Sequence, residues 1–138
     1  LNDGYCPVHK QITVETVRQA KAKHSQAEFL AHPECTEEIL AEADFIGSTA
    51  DIIHYAEKSS KQEFLIGTED GVFAELMKKC PDKRFYSVMQ GQCCVDMKKV
   101  TLEKVRDCLK EEKYEVEITE DTREKAQKAL DRMLELAK

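Results

Sequence analysis

Gly4-Tyr5-Cys6-Pro7-Val8-His9 sets a thiol and an imidazole three residues apart, a spacing at which both reach one metal ion if two further ligands arrive from elsewhere. A second pair of thiols lies in Gln92-Cys93-Cys94-Val95-Asp96-Met97-Lys98. Adjacent cysteines do not readily chelate one ion together, and a disulfide between neighbours is strained, so at most one of them serves as a ligand. The chain has no C-x-x-C knuckle. Soft thiolates on distant loops therefore fit a shared iron-sulfur cluster better than a zinc knuckle.

His32 and Glu34 flank Pro33. Proline fixes its own backbone and biases the residue before it towards an extended conformation, so both side chains can face one mouth. Glu34 there is a proton acceptor if its surroundings raise its basicity, and His32 is a hydrogen-bond partner for a carbonyl or carboxylate near neutral pH. The plainer reading of Glu34 is a charge at a helix start, beside Glu37 and Glu38. Ser48-Thr49 open a helical stretch, where hydroxyls and unpaired N–H groups hold a carboxylate or phosphate or simply cap the helix.

Positioning these groups requires strands with helices between them. Residues 28–31, 44–47, 63–67 and 84–89 are short apolar runs of strand length, and the segments between them carry apolar residues at three- and four-residue spacing. The stripes are Val14, Val17 and Ala20; Ile39, Leu40 and Ala43; Ile52, Ile53 and Ala56; and Val72, Phe73, Leu76 and Met77. Such alternation predicts βαβ units: a three-layer αβα sandwich on a short parallel sheet, with ligands at the carboxyl ends of its strands. His32-Pro33-Glu34, Gly47-Ser48-Thr49 and Gly67-Thr68-Glu69 follow three successive strands. Beyond about residue 95 the pattern predicts a long helix bearing Val105, Cys108 and Leu109, a strand over 114–118, and a final helix capped at Asp121 and carrying Leu130, Met133, Leu134 and Leu136. Thr101 is expected to cap the first of these helices.

Composition limits the function classes. The 138 residues suit one domain with an appendage. A net charge of -6 with no basic block disfavours nucleic acid, and no apolar run approaches the roughly 20 residues that cross a bilayer. The opening Leu1-Asn2-Asp3 lacks both an initiator Met and a signal-peptide pattern, which suggests a cytoplasmic chain cut from something longer. Six cysteines (6, 35, 80, 93, 94 and 108) are many for a reducing compartment, where repeated thiols signal metal or catalysis. Cys35, Cys80 and Cys108 read as packing or helix-end residues, and His24 and His54 as surface or capping groups.

Taken in order, Gly4-Tyr5-Cys6-Pro7-Val8-His9, His32-Pro33-Glu34-Cys35, Gly47-Ser48-Thr49, Ile66-Gly67-Thr68-Glu69, Cys94-Val95-Asp96-Met97-Lys98 and Arg132-Met133-Leu134 closely resemble the quinolinate synthase family, over essentially the whole chain. The resemblance implies an enzyme of NAD biosynthesis that condenses iminoaspartate with dihydroxyacetone phosphate, losing water and phosphate. It also implies a [4Fe-4S] cluster held by three Cys, its fourth iron open to substrate. Cys6 and Cys94 match the second and third cluster ligands. His9, His32, Glu34, Ser48 and Thr49 match substrate-binding positions, with Glu34 and His32 the catalytic pair.

By the same resemblance, residues 1–95 correspond to the third αβα domain of a pseudo-threefold, three-domain fold. Residues 96–138 correspond to a C-terminal segment that packs on the first domain. The first cluster Cys and other pocket groups then belong to a part this sequence does not contain, so activity is expected only with that part supplied, as a separate chain for instance. A competing expectation is a stand-alone αβα module that binds an anion or small ligand without a redox metal. No G-x-G-x-x-G or Walker pattern follows any strand, which sets aside a generic nucleotide site.

Overall fold

A computed structural model of the chain describes residues 5–137; Gly4 and the first three residues lie outside them. The contacts divide the chain after Met97. In the first unit, four parallel strands run β1 (Glu28–Ala31), β2 (Phe45–Ile46), β3 (Glu63–Gly67) and β4 (Arg84–Ser87), in the spatial order β2-β1-β3-β4. Helices α1 (Pro7–Lys10), α2 (Val14–Lys23), α3 (Glu37–Leu40), α4 (Thr49–Lys58) and α5 (Val72–Lys79) precede or connect them. The expected strands at 44–47 and 84–89 are shorter than their apolar runs.

The two-residue period of a strand explains the layers. Phe29, Ala31 and Leu65 point to a core shared with Ile12, Val17 and Ile39, whereas Leu30, Phe64 and Ile66 point to a second core with Ile52, Ala56, Val72 and Leu76. Both faces are thus covered, which is why the central strands read apolar throughout. The αβα sandwich expected from the sequence is the observed architecture. Phe29, Leu30, Phe64 and Ile66 have no exposed surface, and each such burial contributes about 1.5–3 kcal/mol. Met77 departs from its stripe and is exposed. At about 100° per residue Met77 lies round the helix from Val72 and Leu76, the two positions of α5 that are buried.

Register places the crevice. β1 pairs β2 on one side and β3 on the other, Leu30 opposite Phe45 and Ala31 opposite Gly67. The chain moves outward from β1 to β2 and crosses back to β3, so the strand order reverses between β1 and β3. Ligand crevices of open parallel sheets form at such a reversal. Gly67 ends β3 where a Cβ would sit 2.7 Å from the Phe29 ring. Its carbonyl accepts the His32 N–H at 3.2 Å, which fixes the exit of β1.

The second unit, from Lys98 on, holds α6 (Leu102–Glu111) and α7 (Glu120–Leu136), and it begins within a short 3₁₀ turn at Met97–Lys99. Thr101 caps α6 through the Lys104 N–H. The strand expected over 114–118 does not form. Glu112 and Tyr114 take left-handed φ values of 48° and 66°, which end the helix and turn the chain out of extended geometry. The cap of α7 is Thr119 rather than Asp121: its hydroxyl receives the Thr122 N–H, and Asp121 falls in the first turn, where the helix dipole favours a negative charge. Val105, Leu109, Leu130, Met133, Leu134 and Leu136 are all exposed. No helix among the described residues is long and apolar enough to cross a membrane.

Candidate active site at the β1/β3 crevice

Three chain segments meet where the strand order reverses. α1 begins at Pro7, suited to a first helical position because its missing N–H would have no partner there. Cys6 stands just before it without a side-chain capping bond. One turn on, His9 is buried, and its Nε2 lies 3.0 Å from Thr68 Oγ1 at the end of β3. The β1 exit supplies His32 and Glu34.

The two imidazoles stack, centroids 4.4 Å apart and planes 3° from parallel. Glu34 Oε2 lies 3.1 Å from His9 Nδ1 and 3.7 Å from His32 Nδ1. Among the described residues the Glu34 carboxylate is thus the acidic group set against the buried His9 Nδ1. Burial, reinforced by the neighbouring His32, pushes the His9 pKa below its ordinary value, and Glu34 only partly opposes this. His9 is therefore held in its neutral form. The His32 Nδ1 lone pair accepts the Glu34 N–H at 3.3 Å, which closes the His32-Pro33-Glu34 turn on itself.

Cys94 reaches the same edge by another route. The Glu69 carboxylate, next to Thr68, accepts the N–H of Cys94 at 3.3 Å through one oxygen and that of Gly71 at 2.6 Å through the other. Gln92 anchors the loop from within: its carbonyl accepts the Asp70 N–H at 2.8 Å, and its Oε1 lies 2.9 Å from Ser87 Oγ. Gln92 is almost wholly buried, and among the described residues its Nε2 has no partner. Thus His9 meets Thr68, and the next residue, Glu69, holds the Cys94 loop. Cys93 is exposed, and all six cysteines are free.

Cys6 Sγ, a nitrogen of His9 and a carboxylate oxygen of Glu34 all lie within 4.8 Å of one another. Spacing alone predicts the Cys6/His9 pair; its third member comes from the β1 exit. Cys35, in the adjoining turn, is buried against the core, its thiol 3.6 Å from the Gly67 carbonyl. Burial pushes its pKa up to about 11, and Cys6 and Glu34 add to the effect.

Ser48 caps α4 in a reciprocal arrangement with Asp51. Its hydroxyl is 2.6 Å from Asp51 Oδ2, while its own N–H donates to that oxygen at 2.9 Å. The Ser48 bonds hold the Asp51 carboxyl below its usual range. Thr49 is the first helical residue. Among the described residues no hydrogen bond or ion pair joins either to His9, His32 or Glu34. They share the carboxyl edge of the sheet, since the Gly47 N–H donates to the Ala31 carbonyl at 3.1 Å. His54 pairs on the surface with Glu57 at 3.2 Å, and His24, which follows α2, stacks on Tyr86 at 3.7 Å.

Sequence pattern places Thr68 and Glu69 at the end of the third strand but gives neither a partner, and it does not single out Gln92. Thr68 and Glu69 follow the third strand, but only strand order shows that β3 borders β1. For Gln92 the one signal is its place beside Cys93-Cys94.

Residues 1–135 match the family model described as Quinolinate synthetase A protein. The chain is 48% identical over 136 residues to a quinolinate synthase of Caldicellulosiruptor bescii, covering 99% of this chain and 45% of that protein. It is 46% identical over 137 residues to quinolinate synthase 2 of Methanosarcina acetivorans, covering 99% and 44%. It is 41% identical over 134 residues to a quinolinate synthase of Thermodesulfovibrio yellowstonii, covering 97% and 44%. The chain therefore spans less than half the length of the curated relatives it matches.

Proposed function

The chain belongs to the quinolinate synthetase A family, and on that premise we propose that it supplies one part of a quinolinate synthase active site. The assembled enzyme condenses iminoaspartate with dihydroxyacetone phosphate to quinolinate, releasing water and phosphate, in NAD biosynthesis. The observation that carries this reading is the meeting of Cys6, His9, His32, Glu34 and Thr68 at the β1/β3 crevice, with Cys94 tied to the same edge through Glu69.

The donor set suits a [4Fe-4S] cluster. Cys6 and Cys94 offer soft thiolates, and the unpartnered Gln92 Nε2, two residues before Cys94, is a donor of the kind that cluster sulfur accepts. The third thiolate comes from the part of the relatives that this sequence does not span. When bound, such a cluster supplies an open iron as a Lewis acid for a substrate oxygen.

The remaining roles fall to the chain's own side chains. Glu34 is more than half exposed, able to turn into the crevice and take a proton from a substrate carbon or amine. Neutral His9 is fixed by Thr68, and His32 lies over it, so the pair presents a flat polar wall that orients carboxylates. Ser48 and Thr49 hold a carboxylate or phosphate at the α4 start, which requires Ser48 to exchange its Asp51 partner for substrate. In this reading residues 1–95 are the third αβα domain, and the exposed leucines of residues 96–138 cover the first. A cytoplasmic setting goes with six free thiols.

The test is anaerobic iron and sulfide analysis together with a quinolinate assay, on this chain alone and mixed with a chain supplying the remaining family segments. Cluster and product in the mixture, lost on Cys6→Ala or Cys94→Ala, are expected. A mixture with neither overturns the reading and leaves a module that binds small anions without a redox metal.

A further inference from the structure

Glu69 stands where β3 gives way to α5, and its side chain reaches across to a different loop. We propose that Glu69 is a positioning residue for Cys94: its carboxylate fixes the backbone that carries the thiol before any cluster arrives. Its effect on a bound cluster rests on the quinolinate synthase reading; its hold on the metal-free loop does not.

One oxygen of the carboxylate accepts the Gly71 N–H at 2.6 Å, and the other accepts the Cys94 N–H at 3.3 Å, 25 residues further on. Gly71 is the N-cap of α5, so its N–H has no partner within the helix. Cys94 lies outside any strand ladder. The base of this bridge is firm, because β3 pairs on both sides and the preceding Thr68 is buried against His9 at 3.0 Å. The far side is shaped in advance. Gln92 offers its carbonyl to the Asp70 N–H at 2.8 Å, and the Cys93 N–H folds back on the Gly91 carbonyl at 2.7 Å. Gly91 takes a φ of 80°, which a residue without a Cβ adopts freely. These bonds set the chain as far as Cys93, and Glu69 takes the N–H that follows.

Two donors converging on one side chain need two acceptors. A carboxylate has them, whereas a carboxamide of the same shape has one oxygen and turns an NH₂ group against the second N–H. The Gly71 bond is the shorter, so an amide oxygen stays there and the Cys94 N–H is released. A thiol already held in place costs less ordering when a cluster binds. An N–H given to Glu69 is also not given to cluster sulfur, and together with the added negative charge this lowers the potential of a nearby cluster.

The test compares Glu69→Gln with the parent, first in the reduced, cluster-free chain. Alkylation of Cys94 about tenfold faster is expected, with Cys35 labelling and the melting temperature unchanged. Loss of a negative charge speeds alkylation by itself, so exchange of the Cys94 amide hydrogen is followed by NMR and should accelerate as well. Unchanged amide exchange, or equal acceleration at Cys35, overturns the positioning role. With the remaining family segments supplied, the variant should hold iron about 10–100-fold more weakly and show a higher reduction potential. A loaded variant with the parent's iron affinity and potential overturns the effect on the cluster. A parent that assembles no cluster overturns the quinolinate synthase reading, while labelling and amide exchange still decide the role of Glu69.

Discussion

The imidazoles of His9 and His32 stack face to face, 4.4 Å between centroids and 3° from parallel, with the Glu34 carboxylate beside both. Burial makes a charge on His9 costly, and the stacked ring of His32 adds to that cost. Its pKa lies below the ordinary 6.5 because burial, and then His32, penalise the cation, with Glu34 opposing. The unfolded chain therefore takes up this proton first as pH falls, and it binds more protons than the fold between the two pKa values. Stability from His9 is fully present above about 6.5 and is lost as pH drops below it. The metal-free chain should show a melting temperature that falls with pH through this range, with a slope of at most about 1.4 kcal/mol per pH unit from this one proton. His9→Gln should remove that slope; an unchanged slope would place the titrating group elsewhere.

Thr68 satisfies the buried Nε2 of His9 at 3.0 Å. Thr68→Val keeps the shape but leaves a polar ring nitrogen without a partner, a loss of about 1–3 kcal/mol. Thr68→Ser keeps the hydroxyl and should recover most of it. Urea denaturation of the three proteins decides the matter: equal losses for Val and Ser would mean that the methyl group, rather than the hydroxyl, matters at this position.

The six thiols should separate by reactivity. Cys93 is exposed, whereas Cys35 and Cys80 are buried. Burial raises the pKa of both, that of Cys35 to about 11. Alkylation needs the thiolate. Timed labelling with mass-spectrometric readout should modify Cys93 early and Cys35 and Cys80 only with unfolding. Early labelling at Cys35 would show that the His32–Cys35 turn opens far more readily than its hydrogen bonds to Gly67 suggest.

Much of this arrangement is legible in the amino-acid sequence itself. The apolar runs at 28–31 and 63–67 coincide with β1 and β3, because a strand buried on both faces leaves an unbroken apolar signature. The grouping of His32 with Glu34 follows from Pro33 alone. The approach of His9 to Thr68 does not, because it joins residues 59 apart through strand order, and order is set by crossovers that local pattern does not encode. The missing strand at 114–118 has the opposite cause. Val116 and Ile118 alternate well, but a strand also needs a paired neighbour, and the left-handed Tyr114 interrupts the extended backbone.

Gln92 gives the sharpest test of how the Cys94 loop is held. Its carbonyl receives the Asp70 N–H and its Oε1 faces the Ser87 hydroxyl, while Nε2 has no partner among the described residues. Gln92→Ala removes the buried side chain and opens a cavity, so a loss of about 1–3 kcal/mol or more is expected, with faster labelling of Cys94. Gln92→Leu differs in kind. It fills similar space and deletes the unpartnered Nε2, and the Ser87 hydroxyl keeps the Met89 carbonyl at 2.6 Å as its acceptor. Removing a buried group together with its unmet hydrogen bond is nearly neutral, whereas removing only its partner is not. The leucine variant of the cluster-free chain should therefore melt close to the parent. If it assembles less iron and sulfide in the presence of the remaining family segments while melting normally, Nε2 serves the sulfur site rather than the fold. If it melts as low as the alanine variant, the amide is a structural link and nothing more.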